Sequence, residues 1–278
     1  MNVLISLHKG YGLGDAVQMS AVLRHVVKAH PDWSIDYQAE PGKHCVGRGI
    51  VANTFAYGEP YPSARYDFEF LICLYDTYHG YIDRPNTRVS SCLQEVFGLP
   101  WVAELGRPVV NVSARATRKA REYLKHCRGL NWFVGVQTEG RSAKDKKNLS
   151  TMQNEMICDA VRRLGHTPFD FNNYSGDAEA NCALIRQCEV FVGIDSGPGK
   201  CASATETPSL IVWTGHHPAV FHDPAPNTTH LVPQGYHSLP PVCNDPGVVA
   251  WFEANYNVRQ YEGDPVGEIK KWLGEVLQ

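Results

Sequence analysis

Val190-Phe191-Val192-Gly193-Ile194-Asp195-Ser196-Gly197-Pro198-Gly199-Lys200-Cys201-Ala202-Ser203-Ala204 is the stretch whose reading decides the fold. An apolar run of β-branched and aromatic residues gives way to a tight turn, then to small residues able to start a helix. With Gly197 as the cap, Pro198 takes the first helical position, where its missing N–H has no intrahelical partner to lose. The amides of Gly199 and Lys200 are then free at a positive helix end, and Gly199 has no side chain to block approach. Such an end accepts an anion. Lys200 breaks a local rule, because a cation in the first turn opposes the macrodipole by roughly 0.3–1 kcal/mol when nothing is bound. A phosphate between amides and ammonium reverses that sign; the plainer alternative is a turn whose lysine points into water. A nucleotide P-loop fits worse, since Ile194 stands where that motif needs glycine and Cys201 where it needs Ser or Thr.

Working outward, the second half alternates strands with helices. Strands are expected at 132–137, 169–171, 191–195, 210–213 and 230–232, with helices over 151–164 and 177–188. The loop Arg141-Ser142-Ala143-Lys144-Asp145-Lys146-Lys147 follows the first of these strands. Four basic residues there are either a solvated face or, with Lys200 on the same sheet edge, the second side of a diphosphate site.

The first half opens with a strand over 3–7, the turn Gly10-Tyr11-Gly12-Leu13-Gly14 and a helix from about 15 to 30. Met19, Val22, Leu23, Val26 and Val27 give that helix one apolar face, Pro31 stops it, and a strand over 34–39 completes a βαβ unit. A dinucleotide fingerprint would need a third glycine where Asp15 stands, and a carboxylate there repels a pyrophosphate. Asp15 is either a helix cap worth about 1 kcal/mol or a carboxylate presented to a ligand. Strands over 54–58 and 67–74 and a helix over 88–97 follow. Tyr75, Tyr78, His79 and Tyr81 lie in a loop suited to a polar ring-shaped substrate or to an interface. Residues 109–112 and a helix over 114–126 carry the chain onward.

At 278 residues the chain suits two domains, expected at 1–125 and 126–278, with the last helix packing back on the first. A net charge of −3 lacks the basic excess of a dedicated nucleic-acid binder. Nine scattered cysteines without a C-x-x-C pair indicate neither a disulfide framework nor a zinc site, which points to a reducing cytoplasm. The segment 1–8 is expected to be a strand and not a leader, and no apolar run is long enough to span a bilayer. His216, His217 and His222 match no zinc spacing, so no metal site is expected, and no G-x-S-x-G elbow offers a serine nucleophile.

Two separated motifs carry a family resemblance. Gly14-Asp15 with its glycine loop, Arg24, and His30-Pro31-Asp32-Trp33-Ser34-Ile35-Asp36 form the first; Gly193-Ile194-Asp195-Ser196-Gly197-Pro198, Ala202-Ser203-Ala204, Thr207-Pro208 and Pro218 form the second. In this order and spacing they resemble heptosyltransferase-like glycosyltransferases of the GT-B fold. That resemblance implies two Rossmann-like α/β/α domains facing across a cleft, and inverting, metal-independent sugar transfer from a nucleotide diphosphate sugar as co-substrate, with no other cofactor. It implies Asp15 as general base, with Gly12 and Gly14 in the acceptor loop. Lys147 corresponds to a phosphate-binding lysine, Ser142 to a nearby hydroxyl, and Asp195, Ser196 and Gly197 to the donor turn that Gly199 and Lys200 extend. The family usually has histidine where Lys200 stands, and this chain is short in its first domain, so donor identity and acceptor specificity are not carried over. The acceptor hydroxyl stays open among a saccharide, a protein, a small molecule and a modified nucleic-acid base. The alternatives are a non-catalytic nucleotide or nucleotide-sugar binding module and, disfavoured by Asp15, an NAD-linked oxidoreductase.

Overall fold

Short strands separated by amphipathic helices leave parallel pairing as the natural arrangement, because each crossover helix returns the chain to the same sheet edge. A computed structural model of the chain, describing residues 1–60, 65–74, 87–127, 132–140, 144–242 and 244–278, has two parallel sheets. β1 (Asn2–Leu7), β2 (Ser34–Ala39), β3 (Asn53–Ala56) and β4 (Phe68–Ile72) form the first, in the order β3-β2-β1-β4. β5 (Phe133–Gln137), β6 (Thr167–Asp170), β7 (Val190–Ile194), β8 (Ser209–Val212), β9 (Thr228–Pro233) and β10 (Asn257–Tyr261) form the second, in the order β10-β9-β8-β7-β5-β6.

Around them lie α1 (Leu13–Ala29), α2 (Arg88–Phe97), α3 (Ala103–Gly106), α4 (Ala114–His126), α5 (Lys144–Lys147) and α6 (Thr151–Arg163). α7 (Ala178–Ile185), α8 (Gly197–Ser203), α9 (Pro218–Phe221), α10 (Pro246–Asn255) and α11 (Val266–Val276) follow. Among the described residues no helix is long and apolar enough to cross a membrane.

The period-2 alternation of β7 divides the second half into two cores. Val190, Val192 and Ile194 face Ile157 and Val161 of α6 and Ile269 and Leu273 of α11. Phe191 faces the other way, into a larger core that continues through α8 and α1 to Val3, Ile5 and Leu7 of β1. The apolar stripe of α1 therefore serves both halves. α11 packs on α6 and β10, which corrects the expectation that the last helix returns to the first domain: Ile269, Trp272 and Leu273 complete the outer core of the second sheet. β10 was not expected, because its edge sequence Asn257-Val258-Arg259-Gln260-Tyr261 is mostly polar and only Tyr261 is buried.

In each sheet the strand order reverses beside the first strand: β1 lies between β2 and β4, and β5 between β6 and β7. Loops at the carboxyl ends of these strands diverge there and leave a crevice suited to a ligand. The two crevices face each other.

Candidate active site

A cavity of about 680 Å³ lies between the two sheets, lined from one side by residues 10–15, 41–43 and Arg88, and from the other by Gln137, Glu139, Lys147, Asn172, Tyr174 and residues 195–198. Its floor is the meeting of α1 and α8. A Cβ on Gly14 would lie 3.0 Å from Lys200 Cγ, and one on Gly197 2.8 Å from Leu13 Cβ. Glycine at these two places is what allows the helix ends to touch.

Asp15 is the third residue of α1. Its Oδ2 accepts from the Gly12 amide at 3.0 Å, so the capping role read from sequence is real. Its Oδ1 accepts from Arg88 Nη1 at 3.0 Å, and the Arg88 guanidinium lies 4.3 Å above the Phe221 ring. Arg88 opens α2 behind Thr87, whose hydroxyl accepts from the Ser90 amide. The sequence did carry a signal for Arg88: it is a cation in a first helical turn, against the macrodipole, the rule that singles out Lys200 in the sequence.

On the opposite side Asp195 leaves the end of β7 and receives two lysines. Lys147 Nζ donates to its Oδ2 at 2.7 Å and Lys200 Nζ to its Oδ1 at 2.8 Å. Burial works against the charge of Asp195, but Lys200 and Lys147 prevail and hold its carboxyl far below the usual carboxylate range. Lys200 is only 5% exposed, with its ammonium 5.3 Å from the Trp213 ring. The solvated alternative for these two lysines is thus corrected: Lys200 is inside α8, Lys147 ends the short α5, and both point inward to one carboxylate. On this floor Arg88 is paired with Asp15, and Lys147 and Lys200 share Asp195.

The turn itself differs in detail from its sequence reading. Ser196, not Gly197, caps α8, accepting from the Gly199 amide at 3.3 Å and donating to Gln137 Oε1, and Pro198 falls at the second helical position. Gly199 does not keep an approach open for an anion. Its amide is engaged by Ser196, and a Cβ there would lie 2.6 Å from the Ile194 carbonyl oxygen, so glycine is needed for packing on the strand end. Gly12, Gly14, Ser196 and Gly197 do line the cavity. Ser142 and the loop bearing Tyr75, Tyr78, His79 and Tyr81 lie outside the described residues.

Of the histidines after β8, His217 and His222 are core residues and His216 is half-buried. His217 accepts from the Ala219 amide at 3.2 Å, and burial lowers it to about 4. Burial and Lys200 push His222 well below its ordinary value, and its ring meets the Ser203 hydroxyl at 3.2 Å. Among the described residues no group of three His, Cys, Asp or Glu side chains is placed to hold a metal ion.

No known family profile and no curated protein matches the chain. Solved structures do. The fold aligns over 99% of this chain and 97% of a glycosyl transferase family 9 protein from Veillonella parvula, at a TM-score of 0.69 and 12% identity. It aligns over 100% of this chain and 98% of the E. coli ADP-heptose LPS heptosyltransferase II, at 0.68 and 11%. This chain has the GT-B glycosyltransferase fold. E. coli heptosyltransferase WaaC, solved with ADP, aligns over 92% of this chain and 100% of its own, at 0.53 and 13%. In GT-B terms the cavity described above is the cleft between the two Rossmann-like halves, with Asp15 on one wall and the Lys147–Asp195–Lys200 cluster on the other.

Proposed function

We propose that this chain is a glycosyltransferase that moves a sugar from a nucleotide diphosphate sugar to an acceptor hydroxyl with inversion. Residues 1–125 form the acceptor side and 126–278 the donor side. The observation that carries this reading is the placement of a carboxylate, Asp15, and two lysines, Lys147 and Lys200, on opposite walls of one cleft. Inverting transfer needs a base at the attacking hydroxyl and positive charge at the departing diphosphate. Asp15 Oδ1 or Oδ2 takes the hydroxyl proton as the acceptor oxygen bonds to the anomeric carbon, while the bond from that carbon to the diphosphate oxygen breaks. Lys147, at the cavity wall, and Lys200 beneath it stabilise the charge that collects on the diphosphate. The ADP bound by WaaC is of the ligand class this wall fits.

Both oxygens of Asp15 are already bonded, to Gly12 and Arg88, and this favours the second reading, a binding module that holds the nucleotide without transfer. A thermal-shift series with nucleoside diphosphates, followed by turnover of the matching sugar nucleotide, separates the two. Binding with transfer supports the enzyme, binding without transfer the module, and no stabilisation by any nucleoside diphosphate overturns both. At a hundredfold excess over Kd, stabilisation is expected to be about 2.7 kcal/mol. Turnover is expected to survive EDTA, since the lysines do a divalent ion's electrostatic work; loss restored by magnesium or manganese would contradict this.

A further inference from the structure

The segment Phe221-His222-Asp223 belongs to the second half of the chain, where it ends α9, yet it is wedged against α1 and α2 of the first. Gln18 Nε2 donates to the Phe221 carbonyl at 3.1 Å and to Asp223 Oδ2 at 3.2 Å. Gln18 follows Asp15 by three residues, on the same face of α1. The Phe221 ring carries Arg88, which is bonded to Asp15. Arg88, one of the two partners of Asp15, and Gln18, one turn further along the same helix as Asp15, therefore both rest on one short stretch from the opposite half.

We propose that Asp223 is a positioning residue for Asp15: ionised, it anchors Gln18 and so sets the first turn of α1 against the Lys147–Asp195–Lys200 wall. This rests on Asp15 acting as proposed above. Asp223 is buried, and its Oδ1 has no hydrogen-bond partner. A neutral asparagine would accept from Gln18 more weakly but without a buried charge, so the carboxyl is a costly choice for packing alone. What it adds is a proton equilibrium. Burial raises this carboxyl to about 6, against the opposing influence of Thr87, Gln18 and Lys200.

Among the described residues, the charged and titratable groups around it are Lys200 from α8, Tyr256 after α10 and the adjoining His222, whose ring meets His230 of β9 edge to face. Burial and Lys200 keep both histidines neutral near pH 6, and burial keeps Tyr256 protonated. Asp223 thus changes charge in that range while they do not. Protonation weakens the Gln18 bond and loosens Asp15 on the acid side.

The test is Asp223→Asn, followed by carbon-13 NMR of the Asp15 carboxyl from pH 4 to 8, by calorimetry with ADP, and by turnover of an ADP-hexose. In the wild type the Asp15 resonance should show a step near pH 6; in the variant that step should vanish and ADP affinity stay within twofold. Turnover should fall by about 10–100-fold, with the acid limb of its pH profile flattened. An unchanged step, or wild-type turnover with the same acid limb, would overturn the proposal. Failure of ADP to bind the wild type tells against the donor reading instead, and the NMR step still decides the coupling. Should Asp223→Asn not fold, Gln18→Met cuts the same link and must abolish the same step.

Discussion

The turns after β1 and β7 have the same construction and opposite chemistry. Each is a strand–turn–helix at the point where its sheet reverses order, each uses glycine so that the other can come close, and each carries one charge within the first four helical residues. In the first, the charge is Asp15, where the macrodipole favours an anion and the Gly12 amide is at hand. In the second it is Lys200, midway along the seven-residue α8, which burial penalises; Asp195 from the same strand end makes it tolerable. A carboxylate in the first place is a feature any stable helix would have, whereas a lysine in the second requires its own counter-ion and a reason. The second wall is accordingly the stronger sign of a ligand, and the first needs experiment to separate capping from catalysis.

The sharpest way to break this contrast is to remove Asp195. Asp195→Asn leaves two inward-pointing ammoniums without a counter-charge, and unfolding free energy should drop by about 3–5 kcal/mol in a denaturant titration. The pH dependence follows from the same contact. Because the folded carboxyl titrates below its unfolded value of about 3.9, its contribution is full above that pH and is lost as pH falls through the lower folded value. Asp195→Asn should therefore show a shallower acid-unfolding slope below pH 4. An equal slope would mean that Asp195 does not carry the wall.

Lys147→Ala touches the ligand side of that wall and spares the Lys200–Asp195 pair. Loss of one charge-assisted contact should weaken ADP binding by about 10–100-fold in calorimetry, with little change in melting temperature. Unchanged affinity would return Lys147 to a purely structural role. Gly199→Ala concerns packing alone: an added Cβ meets the Ile194 carbonyl oxygen at 2.6 Å, and the expected loss is about 1–3 kcal/mol. Gly12→Ala, with only the movable Asp15 carboxylate at 3.3 Å, should cost less. A reversed order would contradict the close fit claimed for the second turn.

Much of this was legible in the sequence because it is local. The two turns, Asp15 as a cap, the α/β alternation and the helix over 88–97 follow from residue types and spacing within a dozen positions. What was not legible depends on contacts across the chain. For Lys200 and Lys147 a solvated position stayed open because nothing local says that Asp195 receives both, from 5 and 48 residues away. Gly199 read as an open approach because the carbonyl it rests on belongs to the preceding strand end. Gln18 and Asp223 lie 205 residues apart, and neither stands in a motif. Arg88 alone was within reach, by the rule that singled out Lys200.

The account stands or falls with Asp15. Asparagine can still accept from the Gly12 amide, so Asp15→Asn should lose stability through its weakened Arg88 contact but keep the fold and, measured by calorimetry, the affinity for ADP. It has no carboxylate to take a proton, so transfer from the matching sugar nucleotide should fall by about 10²–10⁴-fold. Near-wild-type transfer in an Asp15→Asn protein that still binds ADP would contradict the account and leave Asp15 as a helix cap.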